Sequence, residues 1–387
     1  MGELAMNNPY INYIELPNHS EMFFNRERDV EQIISCLNNE PIQSVSLYGE
    51  RKIGKTSVAI KVFNLTKNYK NTVSIFLDCS ELQENCDSQD KFFQELNKKY
   101  FAEVKDEYKE ILRINDNIFF NDYLSAKNFI EKQGRIGLRL ILFIDEFDLL
   151  YEKKFATDEF FNSLKSLSNN SENHLSFIIV SGLSLKQLNN KYNKSNTFWS
   201  IFHPLPIGLF DSNSVNKLRH FGFNKYKYIL NDEEIDIIEK YAGNFPFFNQ
   251  ITCKHLFESK KDEVKLDMEK LENEIFSFYQ DMWNRKTEED QKLLKNLKHK
   301  KDRNELSLKE LESLGNMQLS GLLKKQKNFY LPFSELFYDF INEQSVKRTK
   351  ITFDNIIDRL KKIGEGIDVI SGIKKRLESI SSSEGQK

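Results

Sequence analysis

Short apolar runs alternate with helical patterns over the first half of the chain. Four runs, residues 45–48, 72–78, 138–144 and 174–180, have the apolar and β-branched content of buried strands, and residues 205–210 predict a fifth. Continuous apolar runs flanked by helical patterns are typical of parallel strands that are covered on both faces. The pattern therefore predicts an α/β fold built on a parallel sheet.

Beyond residue 210 the pattern becomes almost wholly helical, which predicts separate helical domains. A chain of 387 residues also suits two or three domains better than one core. The balance of 56 basic and 58 acidic residues argues against a protein that coats nucleic acid or a membrane surface. Four scattered cysteines fit a reducing compartment, and no apolar run approaches the ~18 residues of a membrane span. We therefore expect a cytoplasmic protein with no membrane partner.

The segment after the first predicted strand reads GERKIGKTS, with the P-loop spacing Gly49-x-x-x-x-Gly54-Lys55-Thr56. The two glycines let backbone N–H groups face phosphate oxygens, and the following helix adds the positive end of its dipole. Lys55 can reach the β- and γ-phosphates, and the Thr56 hydroxyl can ligate Mg²⁺. The alternative is an ordinary surface loop that contains two glycines. Such a loop does not require a strand before it and a helix after it. The predicted nucleotide-binding residues of the loop are Gly49, Glu50, Arg51, Lys52, Ile53, Gly54, Lys55, Thr56 and Ser57.

The third predicted strand ends in Asp145-Glu146, at the edge where ligands bind in open α/β sheets. Asp145 can hold Mg²⁺ together with Thr56, and Glu146 can polarise a water for attack on the γ-phosphorus. Lys55 and Glu146 are therefore the predicted catalytic residues, and the guanine motif Asn-Lys-x-Asp is absent. We expect ATP and Mg²⁺ as cofactors, and we expect Asp148 to cap the next helix.

Two further motifs carry a resemblance to a known family. Residues 22–27, MFFNRE, lie about 20 residues before the P-loop, and the segment Gly243-Asn-Phe-Pro246 is similar to the Gly-x-Pro motif of a lid domain, with two residues between its glycine and its proline. With the P-loop and the Asp-Glu strand end, the chain resembles the STAND-like P-loop ATPases of the AAA+-related, archaeal-type branch. Asn25 stands where that family usually has glycine, and asparagine tolerates a left-handed backbone.

The resemblance implies roles for four more residues. It places Arg26 and Glu27 near the adenine, Ser181 near the γ-phosphate, and Pro246 against the adenine ring. Simpler interpretations remain open: a charged helix start for the first pair, a Ser-Gly turn for Ser181, and the first turn of a helix for Pro246, with Gly243 as the cap of the preceding helix.

The resemblance also implies an additional-strand (ASCE) sheet with a helical lid, a winged helix and a helical C-terminal tail. The expected units are an extended segment (1–20), a nucleotide-binding domain (21–210), a helical lid (211–286), a winged helix (287–346) and a tail with a disordered end (347–387). Within the winged helix we predict a helix over 287–300, short helices over 307–314 and 316–326, and a β wing from 329 to 333 before a last helix.

Such proteins act as ATP-dependent switches, so the resemblance implies slow or partner-stimulated ATP hydrolysis in prokaryotic signalling or antiviral defence. The expected partner is a protein effector or sensor in trans, or a second copy of the chain. The apolar stripe over residues 356–377 could dock on the core or recruit this partner. A second hypothesis is a DNA-binding ATPase similar to origin-recognition or transposition regulators, with contacts from basic clusters at 295–303 and 324–327. A third is a module that holds nucleotide without turnover.

Overall fold

The structure is a computed structural model that describes residues 7–10, 22–40, 42–82, 86–112, 119–168, 174–297, 306–327 and 329–344. The predicted tail (347–387), most of the predicted extended segment, and part of the basic cluster at 295–303 lie outside the described residues. Within the described ranges no helix combines the length and apolar character that crossing a bilayer requires.

A parallel five-stranded sheet forms the first half of the molecule, as predicted. Its strands are β1 (Ser44–Tyr48), β2 (Thr72–Asp78), β3 (Arg139–Asp145), β4 (Leu175–Ser181) and β5 (Phe202–Pro206). The strand order is β2-β3-β4-β1-β5, and every neighbouring pair is parallel. Strand β4 therefore lies between the strand that leads into the P-loop and the strand that ends in Asp145-Glu146.

The fifth strand begins and ends earlier than predicted: it covers residues 202–206, and residues 207–210 follow it. Prolines 204 and 206 lie inside β5, and proline cannot donate to a ladder of hydrogen bonds. The sequence therefore looks like a turn at this point. β5 tolerates both prolines because it pairs with β1 alone and forms an edge of the sheet.

Helices cover both faces of the sheet, which explains the unbroken apolar strands. Side chains alternate between two cores: Phe143, Ile178 and Val180 face one, whereas Leu142, Ile144 and Ile179 face the other. The helices of this domain are α1 (Glu27–Asn38), α2 (Lys55–Thr66), α3 (Gln89–Glu103), α4 (Asp106–Ile111), α5 (Tyr123–Arg135), α6 (Asp148–Tyr151), α7 (Asp158–Ser168) and α8 (Leu185–Lys191).

A four-helix unit follows the sheet, formed by α9 (Ser212–Lys225), α10 (Asp232–Ala242), α11 (Pro246–Lys261) and α12 (Met268–Asn284). Gly243 ends α10 at φ 50°, and Pro246 is the first residue of α11, so both helix-end interpretations are confirmed. The first described residues pack on this unit, where the Tyr10 hydroxyl donates to the Arg219 carbonyl.

The C-terminal unit contains α13 (Glu288–Asn296), α14 (Leu308–Leu319), the antiparallel strands β6 (Leu323–Gln326) and β7 (Phe329–Pro332), and helix α15 over residues 335–344. The predicted pair of short helices over 307–314 and 316–326 is wrong. A capping box between Ser307 and Glu310 starts one helix, which continues through Gly315 and ends before Gly321 at φ 92°. The residues assigned to the second short helix instead form the end of α14 and all of β6.

Candidate functional site

The P-loop leaves β1 at Tyr48 and enters α2 at Lys55, and both glycines of the motif have a structural reason. A Cβ at Gly49 would lie 2.3 Å from the Ile207 carbonyl oxygen, so only glycine fits beside the end of β5. Gly54 is the N-cap of α2 at φ 105°, a left-handed backbone that favours glycine. Since glycine has no side chain to cap the helix, the first N–H groups of α2 remain available to an anion such as phosphate.

The Lys55 ammonium lies inside the loop. Its Nζ donates to the carbonyl oxygens of Gly49 and Glu50, at 3.0 Å each. Burial lowers the pKa of Lys55, and the negative charges of nearby carboxylates, Asp148 first, act in the opposite direction. The predicted lysine is therefore in place at the centre of the site, surrounded by acids.

The two predicted metal ligands are adjacent. The Asp145 carboxylate is buried at the end of β3 and has a side-chain hydrogen bond with Thr56. Burial raises the pKa of Asp145 to about 6, against the effect of that bond and of the Glu146 backbone N–H, which donates to Asp145 Oδ1 at 2.8 Å. A hydroxyl and a carboxylate are the hard oxygen ligands that Mg²⁺ prefers, so these residues fit the predicted ion.

Glu146 follows Asp145 with an exposed side chain and a backbone φ of 47°. A left-handed backbone is uncommon for a residue with a Cβ, and such conformations cluster at functional sites. Glu146 thus lies beside Asp145 with its carboxylate accessible, as a general base requires.

Asp148 does not cap a helix, contrary to the prediction. It is the first residue of the short helix α6, whose N-cap is Phe147, and no side chain caps that end. The Asp148 carboxylate instead accepts a hydrogen bond from the Gly182 backbone N–H at 2.7 Å. The prediction failed because the partner lies 34 residues away, at the end of the neighbouring strand.

Ser181 is the last residue of β4 and is paired with Tyr48, the last residue of β1. Its side chain is buried, and its hydroxyl donates to the Leu183 carbonyl at 2.7 Å. The strand order thus brings Ser181 beside the P-loop strand. The hydroxyl is engaged within its own Ser-Gly turn, so contact with a phosphate stays a prediction.

Arg26 contacts three parts of the site. Its guanidinium donates to the carbonyls of Ile53 (2.9 Å) and Gly208 (2.8 Å) and stacks over the Phe210 ring. Among the described residues its buried Nε has no hydrogen-bond partner. Asn25 before it is left-handed at φ 56°, as predicted.

The residue after Arg26 behaves differently. Glu27 is exposed in the first turn of α1, where its charge suits the helix dipole. Its predicted place near an adenine stays untested.

Pro246 begins α11 and is buried, and its neighbour Phe247 faces the P-loop. The Lys52 ammonium lies 5.7 Å from the centre of the Phe247 ring. The start of α11 is therefore beside the loop, which is the placement that the predicted role of Pro246 requires. Contact between Pro246 and an adenine stays a prediction.

No sequence signal indicates the partners of Glu50. The Glu50 carboxylate forms an ion pair with Lys286, which follows α12, and accepts a hydrogen bond from the Ser320 hydroxyl at 3.3 Å. The Glu50 backbone N–H donates to the Ser320 carbonyl at 2.8 Å. The second residue of the P-loop is thus held by the end of the four-helix unit and by the turn between α14 and β6.

The neighbouring residue makes a weaker contact of the same kind. Arg51 pairs with Asp281 of α12 at 3.1 Å, but both side chains are substantially exposed. Within the described ranges, a buried and an exposed ion pair join the P-loop to the helical part of the chain.

Comparison with known proteins agrees with this geometry. Residues 23–247, more than half of the chain, match the family model of an ATPase domain found predominantly in Archaea. An uncharacterized ATP-binding protein of Methanocaldococcus jannaschii is 23% identical over 293 residues, which cover 66% of this chain and 80% of the relative. A similar protein of Pyrococcus abyssi is 21% identical and covers 68% of this chain and 82% of the relative.

Two solved structures share the fold at low sequence identity. The Walker-type ATPase of Pyrococcus abyssi has a TM-score of 0.56 at 14% identity and covers 85% of this chain and 99% of its own. The ORC2 protein of Aeropyrum pernix has a TM-score of 0.50 at 11% identity and covers 89% and 99%. The extent of the family match, together with the P-loop and the paired acids at the end of β3, shows that the chain belongs to the family of P-loop ATPase domains found predominantly in Archaea.

Proposed function

We propose that the chain is an ATP-hydrolysing molecular switch of the STAND type, which acts in prokaryotic signalling or defence through a protein partner or a second copy. The contact at Glu50 is the observation that carries this proposal. A P-loop residue is joined directly to the C-terminal unit through Ser320 and to the end of α12 through Lys286. A change of the P-loop on nucleotide binding would therefore reach the C-terminal unit without an intermediate.

The residues of the site support separate roles in phosphate binding, Mg²⁺ binding and proton transfer. Lys55 and the N–H groups at the start of α2 would bind the phosphates, and Thr56 and Asp145 would hold Mg²⁺, which neutralises phosphate charge when bound. Glu146 would accept a proton from the attacking water. Arg26, Ser181 and Pro246 would complete the nucleotide site.

The C-terminal unit has the order expected of a winged helix, with α14 before the wing formed by β6 and β7. Its contacts support a role as the moving part of the proposed switch. The α14–β6 turn packs on the P-loop and on the end of β5, since a Cβ at Gly208 would lie 3.0 Å from the Leu319 carbonyl oxygen. Nucleotide can shift this packing only if it binds the docked and released forms with different affinity.

The test compares the docking contact in two nucleotide states. Hydrogen exchange would be measured over residues 281–326 in the Glu146→Gln variant, once with ADP and once with ATP, alongside phosphate release by the unmodified chain. We expect turnover by the unmodified chain, and faster exchange around Lys286 and Ser320 with ATP. Equal protection in both states would refute the switch, and absence of turnover would leave a nucleotide-holding module.

A DNA-binding ATPase is the second candidate, because the wing carries three exposed lysines. Lys324, Lys325 and Lys327 lie on β6 and the turn after it, and the fold is shared with an ORC2 protein. The helix before the wing, α14, is poorly suited to contact DNA bases. α14 carries Glu310 and Glu312, its Lys309 pairs with Glu289, and the backbone at its C-terminal end lies against Gly208.

Replacement of the three wing lysines by alanine tests this candidate. A gel shift on duplex DNA that weakens steeply with salt, and that disappears in the triple variant, would favour it, since phosphate contacts release counterions. Binding that is absent, or that is equal in both proteins, would exclude the wing as a DNA-binding surface.

A further inference from the structure

Two contacts hold the turn after β3 against the end of β4. The Phe147 N–H donates to the Val180 carbonyl at 3.0 Å, and the Asp148 carboxylate accepts from the Gly182 N–H at 2.7 Å. Glu146 lies immediately before this pair of contacts. The Asp148 carboxylate thus makes the side-chain contact of these two, next to the predicted general base.

The backbone of Glu146 is in a conformation that needs support. At φ 47° its Cβ is close to backbone atoms, and residues with a Cβ avoid this region unless their surroundings enforce it. Its N–H donates to Asp145 Oδ1, and its carbonyl accepts from the Leu149 N–H. These two hydrogen bonds fix the peptide groups on either side of Glu146. The direction of the Glu146 side chain therefore depends on where the turn is held.

The partner of Asp148 is itself fixed. The Ser181 hydroxyl donates to the Leu183 carbonyl, which closes the turn around Gly182. Gly182 follows β4 directly, and β4 pairs with β1, the strand that leads into the P-loop. The hydrogen bond from the Gly182 N–H to Asp148 therefore links the turn that carries Glu146 to the end of β4, and through β4 to β1, the strand before the phosphate-binding loop.

We propose that Asp148 is a positioning residue for ATP hydrolysis, which holds Glu146 in register with the P-loop by tying the β3–α6 turn to Gly182. The inference rests on the proposed hydrolytic function. Asp148 acts through its hydrogen-bond acceptor, so its role differs from binding of metal or nucleotide. The bond is solvent-exposed, and the charge of the carboxylate makes it a better acceptor for the Gly182 N–H than a neutral oxygen at the same place.

Two substitutions separate the acceptor from the charge. Asp148→Asn keeps the shape and an oxygen that can accept from the Gly182 N–H, but it removes the negative charge near Lys55. Asp148→Ala removes both. Gly182→Ala is a matched control, since an added Cβ would lie 3.5 Å from Asp148 Oδ1, an ordinary contact, and the N–H donor is kept.

The measurements are kcat and KM for ATP, together with ATP affinity in the Glu146→Gln background. Loss of a charge-assisted hydrogen bond should lower kcat of Asp148→Ala about tenfold, with KM and affinity within about twofold. Asp148→Asn should retain kcat within about threefold, and Gly182→Ala should behave like the unmodified chain. In the Glu146→Gln background Asp148→Ala should cause no further loss of residual turnover, because the two residues act as one unit.

Each contrary result has a distinct meaning. Equal loss in Asp148→Ala and Asp148→Asn would overturn the positioning role in favour of a charge effect. If the alanine variant does not fold, a tenfold loss of kcat in Asp148→Asn alone overturns the positioning role, because its amide oxygen can still accept from the Gly182 N–H. Unchanged kcat in Asp148→Ala would overturn the inference while leaving hydrolysis in place. Absence of turnover in the unmodified chain would overturn the proposed hydrolysis, and this inference with it.

Discussion

Replacement of Lys286 by methionine should release the P-loop from the helical part of the chain. The Lys286 and Glu50 side chains are only 13% and 8% exposed, so the variant leaves the Glu50 charge buried without its cationic partner. Removing one member of a buried pair typically costs about 3–5 kcal/mol. Because the Ser320 hydroxyl still donates to Glu50, we take the lower end, about 3 kcal/mol, which corresponds to about two orders of magnitude in the docking equilibrium.

The assay is the rate at which a fluorescent ADP analogue leaves the protein after mixing with excess unlabelled ADP. If the docked form retains nucleotide, release from Lys286→Met should be faster by tenfold to on the order of a hundredfold. The matched control is Asp281→Asn, which removes the exposed pair between Arg51 and Asp281. With side chains 52% and 38% exposed, that pair should contribute less than about 1 kcal/mol and change release less than about threefold.

A double variant distinguishes loss of docking from general damage. Glu50→Gln combined with Lys286→Met leaves no unpaired charge, so it should be closer to the unmodified chain than Lys286→Met alone. If release is equal in Lys286→Met and the unmodified chain, the Glu50 contact does not control the nucleotide site, and the reasoning from burial fails.

Further predictions concern the site and the packing around it. Lys55→Ala should remove most ATP affinity in calorimetric titration, because the backbone cradle alone does not replace its charge on the phosphates, and unchanged affinity would exclude the P-loop. Glu146→Gln should retain ATP while phosphate release falls, and equal turnover would return Glu146 to a structural role. Pro246→Ala should weaken ATP binding by about 1 kcal/mol without lowering the apo melting temperature, whereas lower apo stability with unchanged affinity would support a helix-start role alone. Gly243→Ala should destabilise the chain by about 3 kcal/mol in denaturant unfolding, since the new Cβ would lie 1.8 Å from a backbone oxygen of the C-terminal unit. Gly315 has open space around it, so Gly315→Ala should instead stabilise α14 by about 1 kcal/mol in the same measurement.

The pattern of residues is enough to predict the sheet and the centre of the site, because their signals are local. An unbroken apolar run specifies a strand buried on both faces, and the spacing of Gly49, Gly54 and Lys55 specifies a loop that turns into a helix. Asp145 and Thr56 follow from the same logic, since each lies at the end of an element that the pattern predicts. Errors arose where local signals conflict, as in β5 with its prolines and in the lysine-rich β6.

Which distant groups these local elements meet depends on the packing of the folded chain. Lys286 and Ser320 are 236 and 270 residues away from Glu50, and the partner of Asp148 lies on a neighbouring strand. A buried charge must find a partner, but the sequence does not state which one, because the choice depends on how separately folded units pack. The local pattern therefore predicts what the site can bind, whereas the packing of the C-terminal unit on Glu50 decides which parts of the chain a change at the P-loop would reach.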